Sequence, residues 1–249
     1  MINMCGLYGV IGSGMQKQDT LVFESLTIAN VHRGIDACGV MVEGYHKNNF
    51  QMDKKAINPV EFWGNYTSST NIIPNAGHYA ILGHNRATTI GEDSDENAHP
   101  FIEDNLVVFH NGTLRDKQFQ HKTQSDSMML AKAIKKDGLV SSLSFLDEKS
   151  AFCVVVYDKL RKSLTVTRNT KRSFYFALNK TRKVMYYSSC LHDLRYALSK
   201  NGVTQDMYDS YMVKPNTIIT WNDVRVPDKY TVSDLETPPF VENYGAMMQ

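Results

Sequence analysis

The chain has 249 residues, of which 42% are hydrophobic, so it can bury a sizeable core as one large domain or two small ones. Lys and Arg number 27 against 26 Asp and Glu, and short charged pairs such as Lys171-Arg172 are typical of solvated loops, so the charge favours neither nucleic acid nor an anionic membrane. No apolar run approaches the roughly 20 residues of a membrane helix, and the first residues lack the pattern of a secretory signal.

The first hundred residues predict short strands around one helix. A buried strand begins at Cys5 and ends in a glycine turn, and a helix follows from about Asp19, whose side chain can cap it. The sequence then predicts, in order, a turn at 32–34, a strand over 39–42, a loop-rich stretch over 47–75, a strand over 79–84 and a polar loop over 91–97.

The rest of the chain predicts more strands and two helices. A strand over 106–110 ends abruptly at Asn111-Gly112, a strong turn dipeptide. A helix begins near Ser125-Asp126, where either side chain can cap it, and runs to Gly138. A meander of strands follows over 152–157, 164–168, 174–178 and 183–188, then a helix over 191–199 and a last strand over 217–221.

These elements lack the strict β-α-β-α alternation of a parallel doubly wound sheet, and many adjacent strands are predicted to be antiparallel. An α+β sandwich is therefore favoured. Neither a linker nor an internal repeat divides the sequence. We predict one domain over residues 4–228, followed by a poorly structured tail over 229–249.

The cysteines and histidines give no sign of a metal or disulfide framework. The four cysteines lie far apart without a Cys-x-x-Cys pair, at positions Cys5, Cys38, Cys153 and Cys190. The scattered histidines lack metal-ligand spacing, so structural roles are expected and no metal or cofactor is predicted. A reduced, cytoplasmic protein fits this pattern best.

Taken one at a time, the motifs are weak evidence for function. A cysteine followed by glycine is usually structural, and a lone buried arginine such as Arg86 is usually a salt-bridge partner. The glycines Gly9-x-x-Gly12-x-Gly14 follow a strand, but their spacing reverses the Gly-x-Gly-x-x-Gly of dinucleotide sites and so disfavours that function.

Taken in order, several blocks become specific. They span 5–10 (CGLYGV), 32–39 (HRGIDACG), 83–89 (GHNRATT), 94–101 (SDENAHPF), 109–112 (FHNG) and 125–127 (SDS). Together they resemble the class II glutamine amidotransferases, whose glutaminase domain carries an amino-terminal cysteine nucleophile. The resemblance covers roughly residues 4–200. It implies a four-layer αββα sandwich of two antiparallel sheets, the fold of the N-terminal-nucleophile (Ntn) hydrolases.

The resemblance implies a role for each of five residues. Cys5 would attack the side-chain amide of glutamine, with its own α-amine as the base. The side-chain amide of Asn111 and the backbone N–H of Gly112 would hold the oxyanion. Arg86 would bind the α-carboxylate of glutamine and Asp126 its α-ammonium. Ammonia would leave, and water would resolve the thioester to glutamate.

Other residues of the blocks are expected to support this site rather than act in it. They are Arg33, Asp36, His84 and His99. The sequence departs from the family pattern at Ala87, where an aromatic residue is common, and at Ile90, which precedes Gly91. Such changes would loosen the cover over glutamine without removing the carboxylate anchor.

The amino terminus raises a further expectation. In the family the cysteine usually follows the initiator methionine, whereas here Met1-Ile2-Asn3 precede Met4. Translation from Met4, or cleavage of a short propeptide, would free the α-amine of Cys5. Without either event that nitrogen is an amide and cannot act as a base.

The acceptor of the ammonia is not apparent from the sequence. About 50 residues follow the matched region, too few for the synthase or transferase domain that family members usually carry. We therefore expect glutamine to be the substrate, and a separate synthase or transferase subunit to receive the ammonia unless the enzyme is a plain amide hydrolase. Two alternatives stay open: hydrolysis of another γ-glutamyl amide, and a catalytically silent scaffold or regulatory subunit.

Overall fold

A computed structural model describes residues 4–45, 50–67 and 77–235 of the chain. Within these ranges the strands form two sheets, one of seven strands and one of six. Neighbouring strands in both sheets run antiparallel. The antiparallel pairing predicted from the order of the strands is therefore confirmed.

The seven-stranded sheet has the first strand of the chain at its centre. In spatial order its strands are β11 (Tyr208–Met212), β9 (Tyr175–Asn179), β10 (Met185–Ser188), β1 (Gly6–Ile11), β4 (His78–Arg86), β2 (Ala37–Gly44) and β3 (Phe50–Lys55). All six residues of β1 are buried. The continuous apolar run after Cys5 therefore forms a fully covered strand.

The six-stranded sheet is built mainly from the second half of the chain. Its strands are, in spatial order, β13 (Thr231–Asp234), β12 (Thr217–Trp221), β8 (Ser163–Arg168), β7 (Ala151–Asp158), β6 (Leu106–Thr113) and β5 (Phe101–Glu103). The predicted meander is divided between the sheets, because β7 and β8 belong to this one and β9 and β10 to the other.

The helices are short. The α-helices are α1 (Lys17–Ala29), α2 (Pro59–Glu61), α3 (Asp126–Asp137), α4 (Leu139–Leu143) and α5 (Leu191–Lys200), with 3₁₀ turns at Asn30–His32, Lys117–Phe119 and Gln205–Met207 and a π-helical turn at Phe62–Thr67. None of the helices in the described ranges has the length and apolar character that crossing a bilayer requires.

Three apolar clusters hold the layers together. Leu7 and Phe109 belong to the cluster between the two sheets. Phe23 of α1 and Leu194 of α5 cover the outer face of the seven-stranded sheet, and Leu130 of α3 covers the outer face of the other. The result is the four-layer αββα sandwich that the resemblance implied, and this prediction is confirmed.

The dipeptide Asn111-Gly112 is not a turn, contrary to the sequence prediction. Strand β6 continues through it to Thr113, and Asn111 and Gly112 pair with Cys153 and Phe152 of β7. The local turn preference of an Asn-Gly pair is outweighed here by the backbone hydrogen bonds of a ladder along β7. The pair therefore lies within a strand, where its backbone is held rigidly.

The start of α1 also differs from the prediction. The residue before the helix is Gln16 rather than Asp19, and Asp19 lies in the first turn. Its Oδ2 accepts a hydrogen bond from the backbone N–H of Gln16 at 2.7 Å, so the carboxylate reaches back instead of standing at the cap position. Arg182 pairs with the same buried carboxylate at 2.8 and 3.0 Å.

Two stretches predicted to be irregular contain regular structure. Strand β3 and helix α2 lie within 47–75, although 47–49 and 68–75 are outside the described residues. Strand β13 lies within the tail predicted to be poorly structured, and it pairs with β12 while Leu235 is buried beside it. The ordered part of the chain thus continues past the predicted domain end at residue 228, at least to Leu235.

Candidate active site

The alternation of side chains along three strands brings the predicted catalytic residues to one place. In β1, Leu7 and Ile11 face the core between the sheets while Tyr8 and Val10 face α1. Side chains two residues apart share a face. Cys5, one residue before β1, therefore falls on the inner face with Leu7.

The same reasoning applies to the other two strands. Leu82 of β4 and Phe109 of β6 both belong to the cluster between the sheets. Arg86 and Asn111 lie an even number of residues further along these strands, so their side chains are also directed between the sheets. The cysteine, the arginine and the asparagine thus share one interlayer space.

The backbone of Ala87 holds the Cys5 thiol. The N–H of Ala87 lies 3.4 Å from Sγ, and its carbonyl oxygen lies 3.7 Å from the same sulfur. Arg33 donates from Nε to the carbonyl oxygen of Cys5 at 3.0 Å. Cys5 is only 8% exposed, so its position is fixed by three backbone or side-chain contacts in a buried setting. Arg33 therefore contacts the predicted nucleophile directly.

Two contacts between the sheets place Asn111-Gly112 opposite this cysteine. His84 donates from Nε2 to the carbonyl oxygen of His110 at 3.0 Å, and the hydroxyls of Thr89 and Thr113 lie 3.3 Å apart. On one sheet, the segment between the two contacts (84–89) includes Ala87. On the other sheet, the corresponding segment (110–113) includes Asn111-Gly112. The predicted oxyanion donors therefore lie across the interlayer space from the Cys5 thiol.

The hydrogen-bonding atoms of the Asn111 side chain are not satisfied by any other protein group. It is fully buried, and neither Nδ2 nor Oδ1 has a hydrogen-bond partner. An unsatisfied buried amide costs roughly 1–3 kcal/mol per group. A ligand, an ordered water or an ion can complete the hydrogen bonds of such a group.

Gly112 beside it is confined by the neighbouring strand. A Cβ at this position would lie 1.9 Å from the carbonyl oxygen of Ala151 and 2.7 Å from Nε2 of His110. No side chain fits in that space, so a glycine is required for β6 to pack against β7. The backbone of Gly112 is thereby held close beside the Asn111 amide.

Asp126 begins α3 with both carboxylate oxygens engaged. Oδ2 accepts from the backbone N–H of Leu114 at 2.7 Å, and Oδ1 accepts from the N–H of Ser127 at 2.9 Å. Ser125 caps the helix, accepting from Met128 N–H at 3.2 Å, as the sequence predicted. These bonds tie a buried anion to the end of strand β6.

The Arg86 guanidinium is held by the loop that follows β4. It donates to the carbonyl oxygens of Ile90 and Glu92 at 3.0 and 3.1 Å and lies 3.5 Å from Oδ1 of Asp93. The side chain of Asp93 is 59% exposed, whereas that of Arg86 is 4% exposed. A carboxylate that reached Arg86 would therefore replace hydrogen bonds to this loop.

The electrostatics of the thiol agree with this arrangement. Burial raises the pKa of Cys5, while the Ala87 hydrogen bond and the positive charge of Arg86 lower it and the charge of Asp126 raises it. Because burial dominates, the thiol is protonated at neutral pH and needs a base to act as a nucleophile. Both predicted glutamine-binding charges lie close enough to influence the sulfur.

Comparison with known proteins finds relatives that match most of the chain. The glutamine–fructose-6-phosphate aminotransferase (isomerizing) of Clostridium perfringens is 25% identical over 253 residues, which cover 88% of this chain and 39% of that protein. The enzyme of the same name from Campylobacter jejuni is 23% identical over 89% of this chain and 38% of its own. No protein-family model matches the chain. These relatives are class II glutamine amidotransferases, as the resemblance implied, and the chain is similar to them over nearly nine tenths of its length.

Solved structures agree with the fold of this chain. Glutamine phosphoribosylpyrophosphate amidotransferase from B. subtilis, complexed with ADP and GMP, matches 93% of this chain and 49% of its own with a TM-score of 0.67 and 20% identity. The allosteric regulatory enzyme of purine biosynthesis matches equally well at 21% identity. The chain spans about two fifths of the length of the curated relatives and about half of these structures.

One residue beside the candidate site was missed by the sequence analysis. Lys171-Arg172 was predicted to be a solvated loop, but Arg172 is half-buried and its Nε is buried without a partner. Its positive charge lowers the pKa of Cys5. A pair of basic residues in the sequence does not indicate nearness to a cysteine. Arg172 comes close to Cys5 because its loop crosses from β8 in one sheet to β9 in the other.

Three histidines pack between the sheets beside the site. The rings of His84 and His99 stack with their centroids 3.8 Å apart, and Nδ1 of His110 lies 2.8 Å from the hydroxyl of Ser127. Burial lowers the pKa of all three, that of His84 to about 3. They are therefore neutral at physiological pH, and the supporting role predicted for His84 and His99 stays a prediction.

Proposed function

We propose that this chain is a glutamine amidohydrolase that releases ammonia through a thioester on Cys5. The observation that carries the proposal is the buried, unpartnered Asn111 amide across the interlayer space from the Cys5 thiol. A silent scaffold gains nothing from leaving both polar atoms of a buried amide unsatisfied. An oxyanion formed at a carbon bonded to Cys5 would supply the missing acceptor for Nδ2.

The chemistry follows from this geometry. The free α-amine of Cys5 takes the thiol proton, directly or through a water molecule, and the sulfur attacks the amide carbon of glutamine. Asn111 Nδ2 and the backbone N–H of Gly112 stabilise the oxyanion, each donor being worth about 3 kcal/mol. The leaving nitrogen takes the proton and departs as ammonia. Water then hydrolyses the thioester to glutamate and restores the thiol.

Substrate selection rests on two buried opposite charges. Arg86 takes the α-carboxylate in place of the loop carbonyls of Ile90 and Glu92, and Asp126 takes the α-ammonium. A residue within a peptide lacks both charges, so the site selects free glutamine or another small γ-glutamyl amide. Comparing ammonia release from glutamine with that from γ-glutamyl anilides or γ-glutamyl hydroxamate would separate these two substrate classes.

The proposal includes the removal of residues 1–4. While Met4 is attached, the nitrogen of Cys5 is part of a peptide bond and has no lone pair available to take a proton. Removing these four residues leaves an α-amine of ordinary pKa about 8 beside the sulfur. Intact-mass measurement of the active protein should therefore show a chain that begins at Cys5. An active chain that retains Met4 would contradict this mechanism.

We also propose that the ammonia passes to a separate synthase or transferase enzyme. The curated relatives extend well beyond the matched region, and their names describe the transfer of nitrogen from glutamine to fructose-6-phosphate. An enzyme with an acceptor site of that kind would consume the ammonia that Cys5 chemistry releases. Purification from the native source under mild conditions should recover such an enzyme, and ammonia release by the isolated chain should rise when the partner and its acceptor are added.

The decisive experiment is a glutaminase assay on the matured chain. Cys5→Ala should abolish ammonia release, and Asn111→Ala should lower kcat by about 100-fold or more with little change in KM. Asn105→Ala is the matched control, because Asn105 is an exposed turn residue on the same strand hairpin. If Asn111→Ala retains wild-type kcat, or the matured wild type releases no ammonia from any γ-glutamyl amide, the silent-scaffold alternative is favoured instead.

A further inference from the structure

Outside the set of residues assigned to amide hydrolysis, three potential metal ligands converge where two helices meet. One ligand atom each from His32, Cys190 and Asp193 lies within 4.8 Å of the others, the one such group in the part of the chain that the structure describes. His32 ends the 3₁₀ turn after α1, Cys190 directly precedes α5, and Asp193 lies in the first turn of α5. The far separation of His32 from the other two explains why no spacing motif is visible in the sequence.

Asp193 shows that this group is more than a chance meeting of polar residues. The residue is 4% exposed, and its Oδ2 has no hydrogen-bond partner. The imidazole Nε2 of His32 lies 3.3 Å from that oxygen, within ion-pair distance but without hydrogen-bond geometry. A buried carboxylate oxygen aimed at a thiol and an imidazole is left in need of a positive partner.

We infer that His32, Cys190 and Asp193 bind a divalent transition-metal ion of the zinc type. Imidazole nitrogen, thiolate sulfur and carboxylate oxygen are the three ligand types that Zn²⁺ takes in proteins, whereas Mg²⁺ and Ca²⁺ are bound by oxygen. On binding, the Cys190 thiol loses its proton, so one thiolate and one carboxylate balance the two positive charges. Water completes a tetrahedron from the exposed side, where the His32 side chain is 51% exposed.

The position of the site suggests a structural role for the ion. It joins the end of α1 to the start of α5, the two helices that cover the seven-stranded sheet. Ser189, next to Cys190, bonds Leu7 of β1 in both directions, at 3.0 Å through its hydroxyl and 2.8 Å through its N–H. The ion would link the segment that follows α1 to the start of α5, close to the start of β1. This structural role does not depend on the proposed reaction.

Cobalt(II) is a suitable probe, because a thiolate ligand gives it a strong near-ultraviolet charge-transfer band. The full chain should show this band at one equivalent of Co²⁺, and Zn²⁺ should displace the ion and remove the band. Cys190→Ser should abolish the band, whereas the matched control Cys5→Ala should retain it. Cys38 and Cys153 are 2% and 0% exposed and cannot be reached without unfolding.

A second variant, His32→Ala, keeps the test valid if Cys190→Ser fails to fold. His32→Ala changes a half-exposed side chain, so the fold should persist, and it should weaken Co²⁺ binding by at least tenfold. Zn²⁺ should also raise the melting temperature of the wild type and not that of His32→Ala. The inference is overturned if the wild type gives no thiolate band, if the band survives in Cys190→Ser, or if Zn²⁺ stabilises His32→Ala as strongly as the wild type.

Discussion

At the scale of single residues, the half-buried Arg172 lies in a loop and contributes to the acidity of the predicted nucleophile. Burial raises the pKa of the Cys5 thiol, and Arg172 acts in the opposite direction together with Arg86. Arg86 is also assigned to the substrate, so its charge is neutralised when a carboxylate binds. Arg172 is then the positive charge that continues to favour the thiolate during the reaction.

Replacing this arginine should therefore make the thiol less acidic. We expect Arg172→Gln to raise the pKa of Cys5 further, because the variant removes a positive charge that stabilises the thiolate. The rate of alkylation by iodoacetamide as a function of pH measures this shift directly. Arg195→Gln, on the exposed face of α5, is the matched control and should leave the profile unchanged. An unchanged profile in Arg172→Gln would show that the charge does not reach the sulfur.

The residue scale is also where the sequence was most informative. Cys5, Arg86 and Asp126 were assigned from ordered motifs, and the structure brings these three together. Their convergence depends on the alternation and register of the strands. The order of the motifs does not show this geometry directly and implies it only through the family resemblance. Arg172 carried no such signal, because its nearness to Cys5 comes from a loop that passes from one sheet to the other.

At the scale of elements, strand β6 and helix α3 act as one unit. The carboxylate of Asp126 accepts the backbone N–H of Leu114, the residue that directly follows β6. The helix start is therefore fixed to the strand that carries Asn111. A change at the cap of α3 should therefore shift the position of the Asp126 carboxylate, which is proposed to bind glutamine, and should also lower the stability of the fold.

The cap itself offers a test of this coupling. We expect Ser125→Ala to lower the free energy of unfolding by about 1 kcal/mol, because Met128 N–H loses its acceptor. It should also raise KM for glutamine, since the first turn of α3 positions Asp126. Urea denaturation and steady-state kinetics measure the two effects. Ser141→Ala, exposed within α4, should change neither quantity. Equal stability of Ser125→Ala and the wild type would contradict the capping role.

Element boundaries were predicted less well than element types. The span of α3 was predicted closely, because a serine cap and a terminal glycine mark its ends. The end of β6 was wrong, since an Asn-Gly pair favours a turn in isolation and only pairing with the distant β7 extends the strand. Strand β13 was missed for a similar reason, because its exposed residues show little alternation and it is defined by its partner β12.

At the scale of the whole molecule, the two sheets enclose uncharged histidines. His84, His99 and His110 are each at most 2% exposed and meet between the layers. Burial lowers the pKa of each, so the folded protein keeps them neutral where an unfolded chain would protonate them. The interior of the sandwich is thus sensitive to acid.

The sign of the pH dependence follows from this difference. Below the unfolded pKa of about 6.5 only the unfolded state binds these protons, so stability falls as pH falls. His84 should cost about 1.4 kcal/mol per pH unit down to a pH of about 3, and His99 and His110 should add to the loss in the same direction. Urea denaturation between pH 6 and pH 5 should show this slope, and His84→Gln should reduce it. Exposed His121→Gln is the control, and a flat wild-type profile would contradict the prediction.

The four-layer architecture followed from the resemblance rather than from periodicity. Alternation and strand order indicated antiparallel strands with covering helices, which fits several α+β folds. They gave no indication that the chain changes sheets between β8 and β9, because that step depends on packing across the whole core. The arrangement of the strands in two sheets was implied only by the family resemblance, which rests on the order of the motifs.

The central position of β1 has a practical consequence for producing the protein. Because β1 lies between β10 and β4 and Cys5 directly before it is only 8% exposed, anything fused ahead of Cys5 starts from a buried position. Strand β13 instead lies at the edge of the other sheet. An affinity handle or fluorescent fusion is therefore better placed at the carboxyl end, because a handle at the amino end would obstruct the candidate site around Cys5.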